Sequence, residues 1–372
     1  MYGEVRASGG SDRNRIKRAV IVFTDEWLPY SPTVLNLLSC LKAKGYLTRV
    51  LTVRSGVFQN FERFEGDVDS FRIPLSIQWV LGKLRLYRLA KFLPFALFHG
   101  RAIRRADLCF SVDSLAFLVS RLFHKRPYYV SLEAERNMWF RLARRLGIRH
   151  VLIQTKERFD FLFRDSPRPP VCWILPNSPI LEAFARCPGR DHDLIYFGYV
   201  TTSHGVESCI GALQCLPDSY RLTLKGPIRE DYLDVLKTKY RALFDSARLK
   251  FDAPYLAPED VIPYLSRFGA GFCFYDFNII ARNDFNYVSC PSGKLYSYLA
   301  AGVPVIGSDI LGLRVVRERN CGFLLQEPTS QAIAEVVRMI EADQSGFRQR
   351  CLEAANDFDF KRHFDDFLEK IS

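Results

Sequence analysis

The stretch Cys290-Pro-Ser-Gly-Lys-Leu-Tyr-Ser-Tyr-Leu-Ala-Ala-Gly-Val-Pro-Val-Ile306 decides how this chain is read. A Ser-Gly-Lys turn opens a helix, a glycine ends it, and a β-branched strand follows. The first amides of such a helix have no partner inside it and carry the positive end of its dipole. With a hydroxyl and an ammonium beside them they form a site for a diphosphate. Ser292, Gly293 and Lys294 are the predicted phosphate ligands. Taken alone, the tripeptide also reads as an ordinary N-cap followed by a solvated lysine; the surrounding pattern favours the anion site.

Outward from this stretch, short β-rich runs alternate with amphipathic segments, which predicts an α/β chain with parallel sheets covered by helices. In the first half the strands fall at 19–23, 48–53, 107–112, 128–132, 150–154 and 171–175, with a helix over 32–44. Residues 175–193 carry three prolines and a glycine and read as an interdomain connection. A second series follows, with strands at 194–197, 221–224, 249–251, 271–275 and 303–306 and helices over 206–216 and 228–240. From about 329 the chain is helical and ends in an aromatic stripe, Phe358, Phe360, Phe364 and Phe367, suited to packing. The predicted organisation is a disordered tail (1–17), an N-terminal acceptor-side domain (18–178), a linker (179–192), a C-terminal donor-binding domain (193–350) and a C-terminal helix (351–372).

The 372 residues suffice for two domains, and a 48% hydrophobic share gives each a core. A formal net charge of +11 points to an anionic partner. No nucleic-acid module accompanies that charge, and no Gly-x-Gly-x-x-Gly follows a strand, so nucleic-acid binding and dinucleotide oxidoreduction are disfavoured. The ten cysteines are scattered singly through apolar runs and read as reduced core residues of a cytoplasmic protein. No signal peptide or spanning segment is evident, so any membrane contact is expected to be peripheral.

At residues 291–309, PSGKLYSYLAAGVPVIGSD, the sequence resembles the retaining "group 1" glycosyltransferases of the GT-B fold. Tyr196-Phe-Gly-Tyr-Val-Thr-Thr-Ser-His-Gly-Val-Glu207 is similar to the strand, glycine turn and helix start that open this family's donor domain. Leu224-Lys-Gly226 resembles its next strand end, and Phe251-Asp-Ala-Pro-Tyr-Leu256 its base-contacting loop. The resemblance covers most of residues 193–330 and reaches the first half only through Val130-Ser-Leu-Glu133 and Leu175-Pro-Asn-Ser178. It implies two Rossmann-like domains facing across a cleft, a C-terminal helix crossing back, and retaining transfer from a nucleotide-sugar donor to a glycan or lipid-linked glycan. The implied donor-binding residues are Gly198, Tyr199, Thr201, His204, Lys225, Gly226, Pro254, Tyr255, Ser289, Ser292, Gly293 and Ser297. Two departures stand out. Where the family often has two glutamates eight positions apart, this chain has Ser289 and Ser297, and where it has Arg and Lys after the first donor-domain strand, this chain has Tyr199 and His204. Charge stabilisation therefore falls to Lys294, with Lys225 or Arg282 as helpers.

The reaction breaks a sugar–phosphate bond heterolytically, so donors aimed at the departing diphosphate lower the barrier, and neither metal nor cofactor is expected. Asp67-Val-Asp69 and Asp191-His-Asp193 have the spacing of a metal-binding Asp-x-Asp but lie in polar loops and read as solvated turns. For the acceptor side, Asp25 and Glu26 end the first strand, and Glu133 and Glu135 follow the Tyr128 strand. Asp25 and Glu133 are the candidate catalytic carboxylates, with helix capping or plain surface exposure as the alternative for each. His99, His124 and His150 read as surface or interdomain residues. Residues 79–105 mix apolar, aromatic and basic side chains, as does a helix lying on an anionic membrane, although a core helix with a basic face reads the same way. Two other functions share the fold: a sugar-nucleotide 2-epimerase, disfavoured by the two serines, and a weakly catalytic or non-catalytic subunit that binds a nucleotide sugar.

Overall fold

Most strands form around short runs rich in β-branched, aliphatic and aromatic residues. The computed structural model describes residues 16–54, 66–73, 87–182, 190–281 and 284–371. β1 (Arg18–Phe23), β2 (Leu47–Arg54), β3 (Val68–Arg72), β4 (Leu108–Val112), β5 (Tyr128–Ser131), β6 (His150–Ile153) and β7 (Val171–Ile174) form one sheet in the order β3-β2-β1-β4-β5-β6-β7. β8 (Arg190–Phe197), β9 (Arg221–Lys225), β10 (Leu249–Asp252), β11 (Phe268–Cys273), β12 (Val305–Ser308) and β13 (Gly322–Leu325) form the other, in the order β10-β9-β8-β11-β12-β13. The strand pairings given by register, such as Val20 beside Arg49 and Ile195 beside Thr223, are parallel. Parallel neighbours need crossover connections, and helices between the strands supply them.

The chain falls into two compact units. The first takes the described residues of Met1–Pro29, Leu37–Val130 and Met138–His150, and the second takes Tyr30–Asn36, Ser131–Asn137 and Val151–Ser372. In the first, Val20, Val22, Leu51, Val53 and Cys109 pack against Phe95, Ile103, Ala116 and Val119. In the second, alternate residues of β8, β11 and β12 enter different cores. Leu194, Tyr196, Leu222, Leu224, Ala270 and Phe272 pack against Val206, Ile210, Ile333 and Ile340. Ile195, Cys273 and Val305 pack against Leu295, Tyr298, Leu299 and Val316. Covering both faces explains why these strands read as continuous apolar runs rather than as alternating ones.

Two strands escape the sequence pattern. β3 (VDSFR) and β13 (GFLL) lie at sheet edges, where one is mostly polar and the other too short to carry a period. β11 begins at Phe268 rather than at 271, and β12 at Val305 rather than at 303. Gly302 turns at φ +68°, and Pro304 has no N–H for the ladder, so pairing starts only after it. The C-terminal helices span Ser330–Ala342, Gln344–Ala355 and Phe360–Ile371. In the last, Phe360, Phe364 and Phe367 are buried, and Phe367 meets Trp173 of β7 edge-on at 5.5 Å. Residues 1–15 of the predicted tail, and 183–189 of the predicted connection, lie outside the described residues. The nine cysteines that lie within them are free thiols, most of them buried.

Candidate functional site

The predicted phosphate turn is built by the helix Gly293–Ala301, whose entry is fixed from three directions. Tyr298, fully buried, accepts a hydrogen bond from Phe197 N–H at 2.9 Å and ties the helix to β8. A Cβ on Gly271 would sit 2.7 Å from the Tyr298 ring, so β11 needs glycine at that point. A Cβ on Gly293 would stand 3.0 Å from Asn177 Nδ2, whose Oδ1 accepts from Thr33 Oγ1 at 2.8 Å. Ser292 is buried beside Cys273 and Tyr275 and makes no side-chain cap to the helix.

Lys294 points inward. Its Nζ lies 4.5 Å from the centroid of the Tyr196 ring and donates to Tyr196 Oη at 3.2 Å. A Cβ on Gly198 would lie 3.7 Å from Lys294 Cε and 3.9 Å from Nζ, so the ammonium rests against the glycine turn after β8. No carboxylate pairs with it among the described residues, and burial pushes its pKa below the usual lysine value, with the thiols of Cys273, Cys209 and Cys290 opposing weakly. A cation in this state is set up to receive an anion.

The turn opposite is held by two glycines. Gly198 has φ +116° and Gly226 has φ +138°, and a Cβ on Gly226 would stand 2.2 Å from the Gly198 carbonyl oxygen. Gly198 N–H donates to Lys225 O at 2.9 Å, closing the ends of β8 and β9 on each other. Tyr196 Oη donates to Tyr199 O at 2.8 Å, and His204 Nδ1–H donates to the same oxygen at 3.1 Å. A carbonyl can only accept, so His204 carries its proton on Nδ1 and keeps a lone pair on Nε2. Burial, then the nearby Lys294 charge, lower its pKa to about 4, so the ring is neutral at physiological pH. Thr201 starts the short turn Thr202–His204, and its side chain makes no cap to it. Tyr199, 46% exposed, and Thr201 line a groove of ≈ 300 Å³ with Arg229 and Tyr232.

The predicted helper lysine does other work. Lys225 is buried, pairs with Asp252 at 2.9 Å and donates to Pro254 O at 2.6 Å, so it ties down the loop that carries Pro254 and Tyr255. Tyr255 meets Tyr30 edge-on at 5.6 Å. Arg282, the other helper, lies outside the described residues. The serines at the expected glutamate positions are also engaged. Ser289 is buried, donates to Phe285 O at 2.6 Å and accepts from Arg158 Nη1 at 3.4 Å; Ser297 donates to Gly293 O at 3.1 Å.

Of the two candidate carboxylates, Glu133 belongs to the same unit as Lys294 and accepts from Asn286 Nδ2. Its charge is felt by Tyr287, whose ring meets Tyr275 at 6.2 Å, and Tyr275 meets His204 at 5.5 Å. Asp25 belongs to the first unit, where it and Glu26 each stand 3.7 Å from the buried Lys91. Asp67 and Asp69 are paired with Lys42 and Arg49. His99, read from sequence as surface or interdomain, is buried in the first unit against Phe71 and Phe95. Tyr196, Tyr298, Asn177, Arg158 and Asn286 were missed as site builders because each acts through partners distant in sequence.

No known family model matches the chain, and no curated protein matches it. Solved structures do. The Anabaena protein Alr3699/HepE, in complex with UDP-glucose, superposes with a TM-score of 0.71 at 15% identity over 95% of this chain and 99% of its own. The lipopolysaccharide outer core galactosyltransferase WaaB gives 0.58 at 13% identity over 96% and 100%. A Listeria monocytogenes protein assigned as a UDP-N-acetylglucosamine 2-epimerase gives 0.63 at 13% identity over 94% of both chains. With two parallel sheets of Rossmann type and likeness along nearly its whole length to these structures, the chain has the GT-B fold.

Proposed function

We propose that the protein transfers a sugar from a nucleotide-sugar donor to a hydroxyl of a glycan or lipid-linked glycan. The donor diphosphate sits between the start of the Gly293 helix, Lys294 and the Gly198 turn. The observation that carries this reading is the inward-facing Lys294 ammonium, desolvated and with no carboxylate partner among the described residues, in the first turn of the Gly293 helix. As the sugar C1–O bond to the diphosphate breaks, the electron pair stays on the diphosphate, where Lys294 and the first amides of that helix stabilise it. The cationic share of that work is the protein's own, and transfer proceeds without a metal or cofactor and with retention at C1. Lys225 orders the Pro254–Tyr255 loop for the nucleotide base, and Glu133 faces the acceptor hydroxyl.

The UDP bound by HepE makes UDP and UDP-glucose the first ligands to test. Calorimetric binding of UDP by the wild type, UDP release that depends on an added acceptor, and loss of both in Lys294→Met support the proposal. Binding of neither UDP nor any other nucleoside diphosphate overturns it. Conversion of the donor sugar to its 2-epimer without an acceptor would assign the epimerase reaction instead, and binding without turnover a non-catalytic role.

We further propose that the enzyme, a cytoplasmic protein, works at an anionic membrane surface where a lipid-linked acceptor resides. No helix among the described residues is long and apolar enough to cross a membrane. The helix Tyr87–Arg105 instead exposes Leu93, Leu97 (81% exposed) and Phe98, and beyond them Arg101, Arg104 and Arg105. Apolar residues followed by arginines at helical spacing suit the interface, with guanidinium groups at headgroups. Lys91 is excluded from that role by its burial against Asp25 and Glu26; Lys83 and Arg85, and the Arg88 side chain, lie outside the described residues. Sedimentation with phosphatidylglycerol vesicles should capture the wild type, and the triple change Leu93→Ser, Leu97→Ser, Phe98→Ser should weaken capture at least tenfold. Equal capture of both proteins, or none of the wild type, overturns the membrane reading.

A further inference from the structure

Among the described residues, the largest fully buried side chain is a cation, Arg158, on the helix Lys156–Phe163. Its guanidinium is surrounded by neutral acceptors. Nη2 donates to Leu132 O and to Asn286 Oδ1, each at 2.8 Å, and Nη1 donates to Asn286 O at 3.2 Å and Ser289 Oγ at 3.4 Å. Asn286 Oδ1 also accepts from Ala134 N–H at 2.8 Å. Two donors on one oxygen fix the amide, because the flipped amide would set its NH2 against both. Its Nδ2 must then face Glu133, and it donates to Glu133 Oε2. The carboxylate this network reaches among the described residues is therefore held by an amide polarised by a buried guanidinium.

We infer that Arg158 and Asn286 are positioning residues that hold the Glu133 carboxylate to receive the proton of the acceptor hydroxyl. The inference rests on the transfer reaction proposed above. The acceptor oxygen bonds to sugar C1, the C1–O bond to the diphosphate breaks with its electron pair leaving on the diphosphate, and the hydroxyl proton passes to Glu133, which returns it to water. Among the described residues, Tyr287 and Cys290 on the facing segment feel the charge of this carboxylate; Tyr287 also feels Glu135 and Asp284, and Cys290 also feels Arg158. The network also accounts for serine at position 289: a glutamate there would pair with Arg158 and take its hydrogen bonds from Asn286.

Asn286→Asp separates this role from a merely structural one. One aspartate oxygen still accepts from Arg158 and Ala134, so the fold is kept, and the other now faces Glu133, so that two carboxylates compete for one proton. Carboxyl-carbon NMR of the full-length protein, with Glu133 assigned by Glu133→Gln, should show the Glu133 midpoint raised by at least one pH unit. The acid limb of kcat with UDP-glucose should move up with it, while Glu133→Gln should lower kcat about 100-fold with UDP affinity unchanged. An unshifted midpoint overturns the positioning role, and wild-type kcat in Glu133→Gln overturns the proton transfer. A wild type without turnover overturns the transfer reaction itself, and the midpoint still decides whether Asn286 controls Glu133.

Discussion

Replacing Lys294 by methionine should move stability and ligand binding in opposite directions. The methionine stem keeps the contact with Tyr196 and the Gly198 turn, where the lysine carbon chain now lies. The ammonium it removes is desolvated and faces an aromatic ring, a phenol and thiols, with no carboxylate within pairing distance among the described residues. Deleting an uncompensated, partly buried charge relieves its desolvation, so the free protein should gain about 1 kcal/mol. A diphosphate at the helix start would lose a charge-assisted hydrogen bond of about 1.5–3 kcal/mol, so UDP should bind about 10- to 150-fold more weakly.

The pH dependence follows from the sign of the lysine shift. Between the lowered folded pKa and the ordinary value near 10.5, the unfolded chain holds more protons than the folded one, so wild-type stability rises with pH through that window. The advantage of Lys294→Met should therefore be full at neutral pH and shrink toward pH 10. Urea unfolding of both proteins between pH 7 and 10, with UDP calorimetry at pH 7, measures each quantity. A variant that is less stable and binds UDP as the wild type does would show that the lysine is a packing residue, and the diphosphate assignment would fall with it.

His204 supplies a second pH test. With its folded pKa lowered from 6.5 to about 4, the unfolded chain takes up a proton that the folded chain refuses as pH falls through that window. Relative to His204→Gln, the wild type should lose about 3 kcal/mol of stability between pH 7 and 4, as read by urea midpoints; parallel curves would contradict the neutral ring. Gly226→Ala places a methyl group 2.2 Å from Gly198 O at φ +138°, so it should cost at least 2 kcal/mol and weaken UDP binding by displacing the Gly198 turn. An alanine variant with wild-type stability and affinity would show that the two turns are not coupled.

Much of the fold was legible in residues 193–330 because local sequence carries its own geometry there. Apolar runs such as Leu194–Phe197, bounded by turn residues, read as buried strands, and the turn before Lys294 and the glycine after Ala301 fix where one helix starts and stops. Lys294 could be singled out because an ammonium one residue into a helix is set by that turn alone. Sequence did not show that Lys225 is tied to Asp252 and Pro254, that Ser289 is locked under Arg158, or that Lys91 is buried against Asp25 and Glu26. Which cations remain available and which carboxylate is positioned depend on partners 27 to 153 residues away. The edge strands β3 and β13 became strands only because β2 and β12 offered them backbone partners. Local sequence thus determined the alternation of strands and helices and the anion-binding turn, since both arise from neighbouring residues. Long-range packing alone decided how each charge is spent, because desolvation and pairing depend on groups the chain brings together only when folded.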